Sequence, residues 1–168
     1  MTEEVTRIVT SPIGRILLRA RDNKLVALQI EGSAKSGVED SQFPTDQQSK
    51  AKILDEAEKK LARYFSGKST DLSIPLEMQG TEFQKSVWRE IAKIGYGQTK
   101  TYVEIAEAIG KPKASRAVGG AVGANPIPLI VGCHRVLGAS GKITGYSGGD
   151  GLPTKRWLLA HEGLTAKE

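Results

Sequence analysis

The sequence predicts an α/β (α+β) chain in two parts, a small antiparallel sheet with one helix followed by a mostly helical part that carries a helix-turn-helix. Three observations predict it. Short apolar and β-branched runs separated by turn residues occupy the first 30 positions, apolar residues recur at helical spacing from Ile53 onward, and a polar stretch holding Pro75 interrupts the pattern near its midpoint. The boundary is placed there, giving an N-terminal α/β domain over 1–79 and a C-terminal domain over 80–168.

In the first part, Arg7 to Val9, Ile16 to Arg19 and Leu25 to Ile30 are the strands, and Ser11-Pro12-Ile13-Gly14 and Asp22-Asn23-Lys24 are the turns. Glu31 to Asp46 is rich in Gly, Ser and acidic residues, which predicts an exposed loop without catalytic groups. Ile53, Leu54, Ala57, Leu61, Tyr64 and Phe65 then share one helical face before Gly67, and that face belongs on the sheet.

The second part opens with a capping box, Thr81 with Gln84 three residues on, followed by the core stripe Phe83, Val87, Trp88, Ile91 and Ile94. A second helix runs from Tyr102 to Ile109 and stops at Gly110-Lys111-Pro112. The third begins at Ala114 and is built largely of Ala, Gly and Val, which lets another surface come close. Two helices and a tight turn make a helix-turn-helix, a motif also found in proteins that never touch DNA.

Composition narrows the functional classes. The chain of 168 residues has no apolar run near the roughly 20 residues that span a bilayer, which excludes a membrane role. Glu3 and Glu4 stand where a secretory signal carries lysines, so a cytoplasmic protein is expected. One cysteine forms no internal disulfide, and with His134 and His161 alone beside it a structural zinc site is not expected. The net charge of +5 is unevenly placed: both parts carry 12 Lys and Arg, against 12 Asp and Glu in the first and 7 in the second. A polyanion should therefore meet the second part.

Asn125 to Val136 reads as an apolar strand that ends in Cys133-His134-Arg135. A cysteine is either a small buried hydrophobe or a nucleophile, and a nucleophile needs a neighbour that lowers its pKa. His134 could be that neighbour if the chain turns at Gly132 or a water bridges the gap, since adjacent strand residues face opposite ways. Glu162 is the best carboxylate to hold the imidazole, although a solvated helix-end residue is the plainer reading of it. Gly138 to Gly149 lacks the Gly-Lys-Ser/Thr ending of a phosphate loop and reads instead as a pocket wall with Tyr146 beside a flat base.

These residues resemble the O6-alkylguanine-DNA alkyltransferases. The likeness covers nearly all of 80–168 and rests on Gly80-Thr81-Glu82-Phe83-Gln84, Val87-Trp88, Tyr102 with Ile105-Ala106, Arg116-Ala117-Val118-Gly119, Asn125-Pro126, Cys133-His134-Arg135-Val136, Gly145-Tyr146-Ser147-Gly148-Gly149 and Leu158-Leu159 with Glu162-Gly163. The first part is similar in outline to the family's ribonuclease H-like domain. The resemblance implies single-use repair of duplex DNA: transfer of an alkyl group from O6 of guanine, and from O4 of thymine, to Cys133 after base flipping. It implies His134 as the activator through water, Glu162 as its orienting carboxylate, Tyr102 as the residue that helps rotate the nucleotide, and Arg116 as the side chain filling the gap. Asn125 braces the turn before the active-site segment, Val136, Tyr146, Ser147 and Gly148 read guanine, and Arg135 is grouped with the DNA- and substrate-binding residues. No cofactor or metal is expected; the partner is double-stranded DNA containing O6-alkylguanine, met by a monomer.

Two positions depart from the family pattern: Gly132 and Gly95 stand where proline is usual, which predicts a looser loop around Cys133. Three other readings compete. A non-catalytic alkylguanine-recognition protein lacks the acceptor cysteine that this chain has. A transcription regulator needs base-reading side chains that the small-residue helix does not supply. A thiol hydrolase needs an oxyanion hole that no motif provides.

Overall fold

A computed structural model describes residues 4–32, 51–146 and 148–166. It divides into two compact units, Met1–Met78 with Gly148–Asp150, and Gln79–Ser147 with Gly151–Glu168. The α/β class is the one predicted, and no described helix is long and apolar enough to cross a membrane.

The first unit is an antiparallel sheet of β1 (Val5–Val9), β2 (Ile16–Arg21) and β3 (Lys24–Ile30), in the order β1-β2-β3, with α1 (Lys52–Phe65) packed on all three strands. Asp22 and Asn23 both have positive φ, 55° and 61°, and form the two-residue turn whose twist suits a hairpin. The strand register runs from Val5 opposite Ala20 to Val9 opposite Ile16, and β2 is buried at Ile16, Leu17, Leu18 and Ala20. From α1, Ile53, Leu54, Ala57, Leu61 and Tyr64 are buried as their spacing predicts, and Ile53, Leu54 and Leu61 each contribute about 1.5–3 kcal/mol if fully removed from water. The predicted loop over Glu31 to Asp46 lies outside the described residues beyond Gly32. Gly148–Asp150 join this unit through a bridge between Glu31 and Gly149.

The second unit is helical. The capping box at Thr81 closes as read: its hydroxyl accepts from the Gln84 N–H at 3.0 Å and its N–H donates to the Gln84 side chain at 2.9 Å, starting α2 (Glu82–Ala92). Val87, Trp88 and Ile91 are buried, and the Trp88 indole donates to the Ala121 carbonyl at 2.8 Å, fastening α2 to α4 (Ser115–Gly123). Between them α3 (Tyr102–Ala108) follows β4 (Lys100–Thr101) and ends at Gly110, whose φ of +78° only glycine adopts without strain. The Lys111 N–H returns to Ala106 O at 2.9 Å, closing the turn of the helix-turn-helix. β4 pairs in parallel with β5 (Val136–Leu137), and α5 (Leu152–His161) completes the unit.

Candidate active site

The site is assembled where α4 runs out. Asn125 caps the exit: its side-chain oxygen accepts from the Ile127 N–H at 2.9 Å and its amide donates to the Val131 carbonyl at 2.8 Å. The apolar run between these residues is therefore not the strand that the sequence suggests. Pro126 and Pro128 supply no N–H for a ladder, Leu129 takes φ 77°, and Pro128 and Val131 bridge across a compact turn. Ile127, Leu129 and Val131 are apolar because the turn is buried.

Beyond Gly132 the chain winds into one 3-10 turn, Cys133–Arg135, so that consecutive residues fan outward rather than alternate. Gly132 sits at φ −74°, a value that proline also adopts. Its missing Cβ serves packing instead: a carbon there would stand 3.0–3.3 Å from the Arg135 guanidinium and its stem.

Cys133 is 6% exposed and lines a cavity of about 270 Å³ with Tyr102, Gly119, Val122, Gly123, Gly145 and Tyr146. Gly119 and Gly123 are one helical turn apart on α4, and Arg116, exposed, shares that face at the helix start. Tyr102 accepts a hydrogen bond on its hydroxyl from Thr144 Oγ1 at 3.3 Å, bridging the two walls of the opening. Burial pushes the Cys133 thiol up to about 11; a hydrogen bond with Asn125 and the charge of Lys155 oppose it. The groups that lower the thiol's pKa thus include Asn125 and Lys155 rather than the His134 named from the sequence.

Behind the thiol lies a buried ionic cluster. His134 Nε2 is 2.8 Å from Glu162 Oε2, and both side chains are fully buried. Glu162, one residue past α5, is thus no solvated helix end; it also accepts the Gly97 N–H on Oε1 at 3.1 Å. Burial lowers the His134 pKa, against the pull of Glu162, so the imidazole is neutral near pH 7. Its Nδ1 is buried and has no hydrogen-bond partner among the described residues.

Arg135 requires a correction. It was grouped with the DNA- and substrate-binding residues, yet it is 7% exposed and donates Nε to Glu162 Oε1 and Nη2 to Oε2, both at 2.9 Å, and Nη1 to the Ile94 carbonyl at 2.9 Å. A guanidinium used up in this way is turned inward. Val136 is fully buried, with its carbonyl rather than its side chain engaged; Gly148 groups with the first unit and is not in the cavity lining, and Ser147 lies outside the described residues.

Sequence reasoning missed Lys155. It is fully buried and its ammonium donates to three carbonyls, Val136 at 2.7 Å, Thr144 at 2.6 Å and Gly145 at 3.2 Å, tying β5 to the cavity wall. Burial lowers its pKa to about 8, with Cys133 acting in the opposite sense. The signal was present: Lys155, Leu158, Leu159 and Glu162 lie on one helical face, and all four are buried.

With this geometry in view, comparison with known proteins is decisive. Residues 82–164 match the family of the 6-O-methylguanine DNA methyltransferase DNA binding domain, and residues 5–78 match the ribonuclease-like domain of the same enzyme. The chain belongs to this methyltransferase family. It is 46% identical over 157 residues to a methylated-DNA--protein-cysteine methyltransferase of Methanosarcina acetivorans, covering 93% of this chain and 96% of the relative. A relative with the same name from Mycolicibacterium paratuberculosis is 46% identical over 158 residues, covering 93% and 90%. Among solved structures, the Mycobacterium tuberculosis O6-methylguanine methyltransferase superposes with a TM-score of 0.79 at 41% identity, covering 95% of this chain and 93% of that one. The same mycobacterial protein in complex with DNA gives a TM-score of 0.79 at 41% identity over 94% and 91%.

Proposed function

We propose that the protein repairs DNA by direct reversal, moving an alkyl group from O6 of guanine in duplex DNA, or from O4 of thymine, onto Sγ of Cys133, once per molecule. The observation that carries the reading is Cys133 opening into a cavity with a neutral imidazole and its carboxylate buried behind it. The S–C bond forms as the C–O6 bond breaks, so the base leaves as guanine once it gains a proton. That proton comes from the thiol: His134 Nδ1 takes it through a bridging water, and the Tyr102 hydroxyl protonates the leaving base. The proton held on the imidazolium then restores that hydroxyl, so the net transfer is from thiol to guanine. Concerted transfer suits a thiol whose pKa is about 11, because a free thiolate is not stored beforehand.

Reaching O6 requires the nucleotide to leave the stack, at a cost of roughly a few kcal/mol. Arg116, exposed at the start of α4, enters the duplex and offsets that cost, while Tyr102 helps rotate the nucleotide and hydrogen-bonds the base. Tyr146 borders the flipped base, and the glycines at 119, 123 and 145 let it approach closely. The thioether on Cys133 has no return path. The protein works as a monomer in the cytoplasm, where a lone free thiol stays reduced.

Incubation with duplex DNA containing O6-methylguanine should leave the intact protein heavier by one methyl in place of one proton and return unmodified guanine. Cys133→Ala should abolish both changes. Tight binding with unchanged protein mass would support a recognition protein without chemistry and overturn this assignment.

A further inference from the structure

Arg135 has no task in the transfer just described, yet it is part of the buried cluster and holds both oxygens of Glu162. We propose that Arg135 is a positioning residue of the alkyl transfer, fixing Glu162 as a hydrogen-bond acceptor and thereby forcing His134 into the one tautomer whose Nδ1 can take a proton. The inference rests on the transfer reading for its consequence but not for its geometry.

Each oxygen of Glu162 receives one N–H of the same guanidinium, at 2.9 Å, in a two-pronged fork. A guanidinium only donates, so both oxygens are held as acceptors. The bond from Glu162 Oε2 to His134 Nε2, at 2.8 Å, then leaves no choice: the proton sits on Nε2 and Nδ1 keeps its lone pair. Without the fork, a carboxyl group this deeply buried could bind a proton and donate it to Nε2, moving the imidazole proton to Nδ1 and removing the base. The Arg135 charge also acts directly. The groups that face His134 are Cys133 and Arg135 on its own turn and Lys155 and Glu162 from α5; Arg135 and Lys155 oppose the pull of Glu162 toward imidazolium. The fork has a fixed seat, since Nη1 holds the Ile94 carbonyl and Gly132 lacks the Cβ that would press on the guanidinium.

The test compares wild type, Arg135→Met and Arg135→Lys by nitrogen NMR of the His134 imidazole in the free protein and by single-turnover methyl transfer from a methylated duplex. Wild type should show a neutral ring protonated at Nε2 at neutral pH. In Arg135→Met that population should fall, either because the ring charges at a higher pH or because the proton moves to Nδ1. Transfer should slow by about tenfold or more, with affinity for undamaged duplex unchanged. Arg135→Lys keeps the charge without the fork, so its transfer should lie between the other two; if the methionine variant fails to fold, lysine against wild type decides the matter. A wild-type tautomer, titration and rate in the variants would overturn the proposal, as would a loss confined to DNA affinity. If wild type transfers no methyl group, the repair reading fails while the imidazole spectra still judge the positioning role.

Discussion

Two exposed ion pairs of the first unit and those around Cys133 differ in where they stand and in what they can be for. Arg19 and Glu4 meet at 3.2 Å with about a third of each side chain exposed, at 34% and 39%, and Lys60 and Asp71 pair at a partly exposed site. His134, Arg135 and Glu162 meet at 2.8–2.9 Å with side chains 0–9% exposed. Water screens the first kind, and such pairs are typically worth about 0–1 kcal/mol. The second kind pays a desolvation cost that apolar residues of the same size would avoid. The buried cluster therefore adds little to stability over apolar residues of the same size, although losing one of its members is costly.

Removing the centre of that cluster should produce the largest effect. In Glu162→Gln the shape is kept, but Arg135 is left buried without an anion and His134 without its acceptor. Loss of one partner of such a pair costs about 3–5 kcal/mol, and thermal unfolding should show a midpoint lower by roughly 10 °C. Methyl transfer, followed under conditions where the variant remains folded, should fall by about 10². A stable variant with unimpaired transfer would erase the contrast between the two kinds of pair.

Lys155 sharpens the comparison with a smaller effect. Lys155→Met keeps the length of the side chain and removes the charge, leaving three buried carbonyls without their donor, a loss of about 1–3 kcal/mol. It also removes a charge that lowers the Cys133 pKa, so transfer near pH 7 should slow by roughly tenfold. The pH dependence has a definite sign. With its pKa lowered to about 8, Lys155 is charged below that pH and neutral above it, so the advantage of wild type over Lys155→Met should shrink as pH rises through about 8. Rates of both proteins measured across that range check it; a constant ratio would mean that the ammonium acts by packing alone.

Most of the fold was legible because its signals are local. The three strands, α1 and α2 follow from side-chain period and caps within a few residues, and their buried faces are those the spacing predicts except that Phe65 and Phe83 are only half-buried. Cys133, His134, Glu162, Asn125, Tyr102 and Tyr146 were legible as a set and stand together in the second unit. The misreadings have one physical origin. Whether Arg135 faces DNA or the interior depends on Glu162, 27 positions away, and on a glycine at 132 that makes room for it. Similarly, the run from Ile127 to Val131 is as apolar as a strand because a turn can be buried too, once Asn125 satisfies its backbone.

The smallest effect tests the other side of the comparison. Arg19 lies on β2 beside the register shift at Arg19/Ala20, opposite Thr6 on β1, and its guanidinium reaches Glu4 across solvent. In Arg19→Gln the β-strand keeps a polar residue at a half-exposed position, and among the described residues no buried group loses a partner and the only charge interaction removed is screened by water. The expected loss is under about 1 kcal/mol, a midpoint shift of roughly 2–4 °C at most, and it should vanish at high salt because the screening length falls to about 3 Å at 1 M. Methyl transfer should be unchanged. A larger, salt-resistant loss would show that this surface pair also carries structural weight, and burial would then no longer separate the charges that serve chemistry from those that serve solubility.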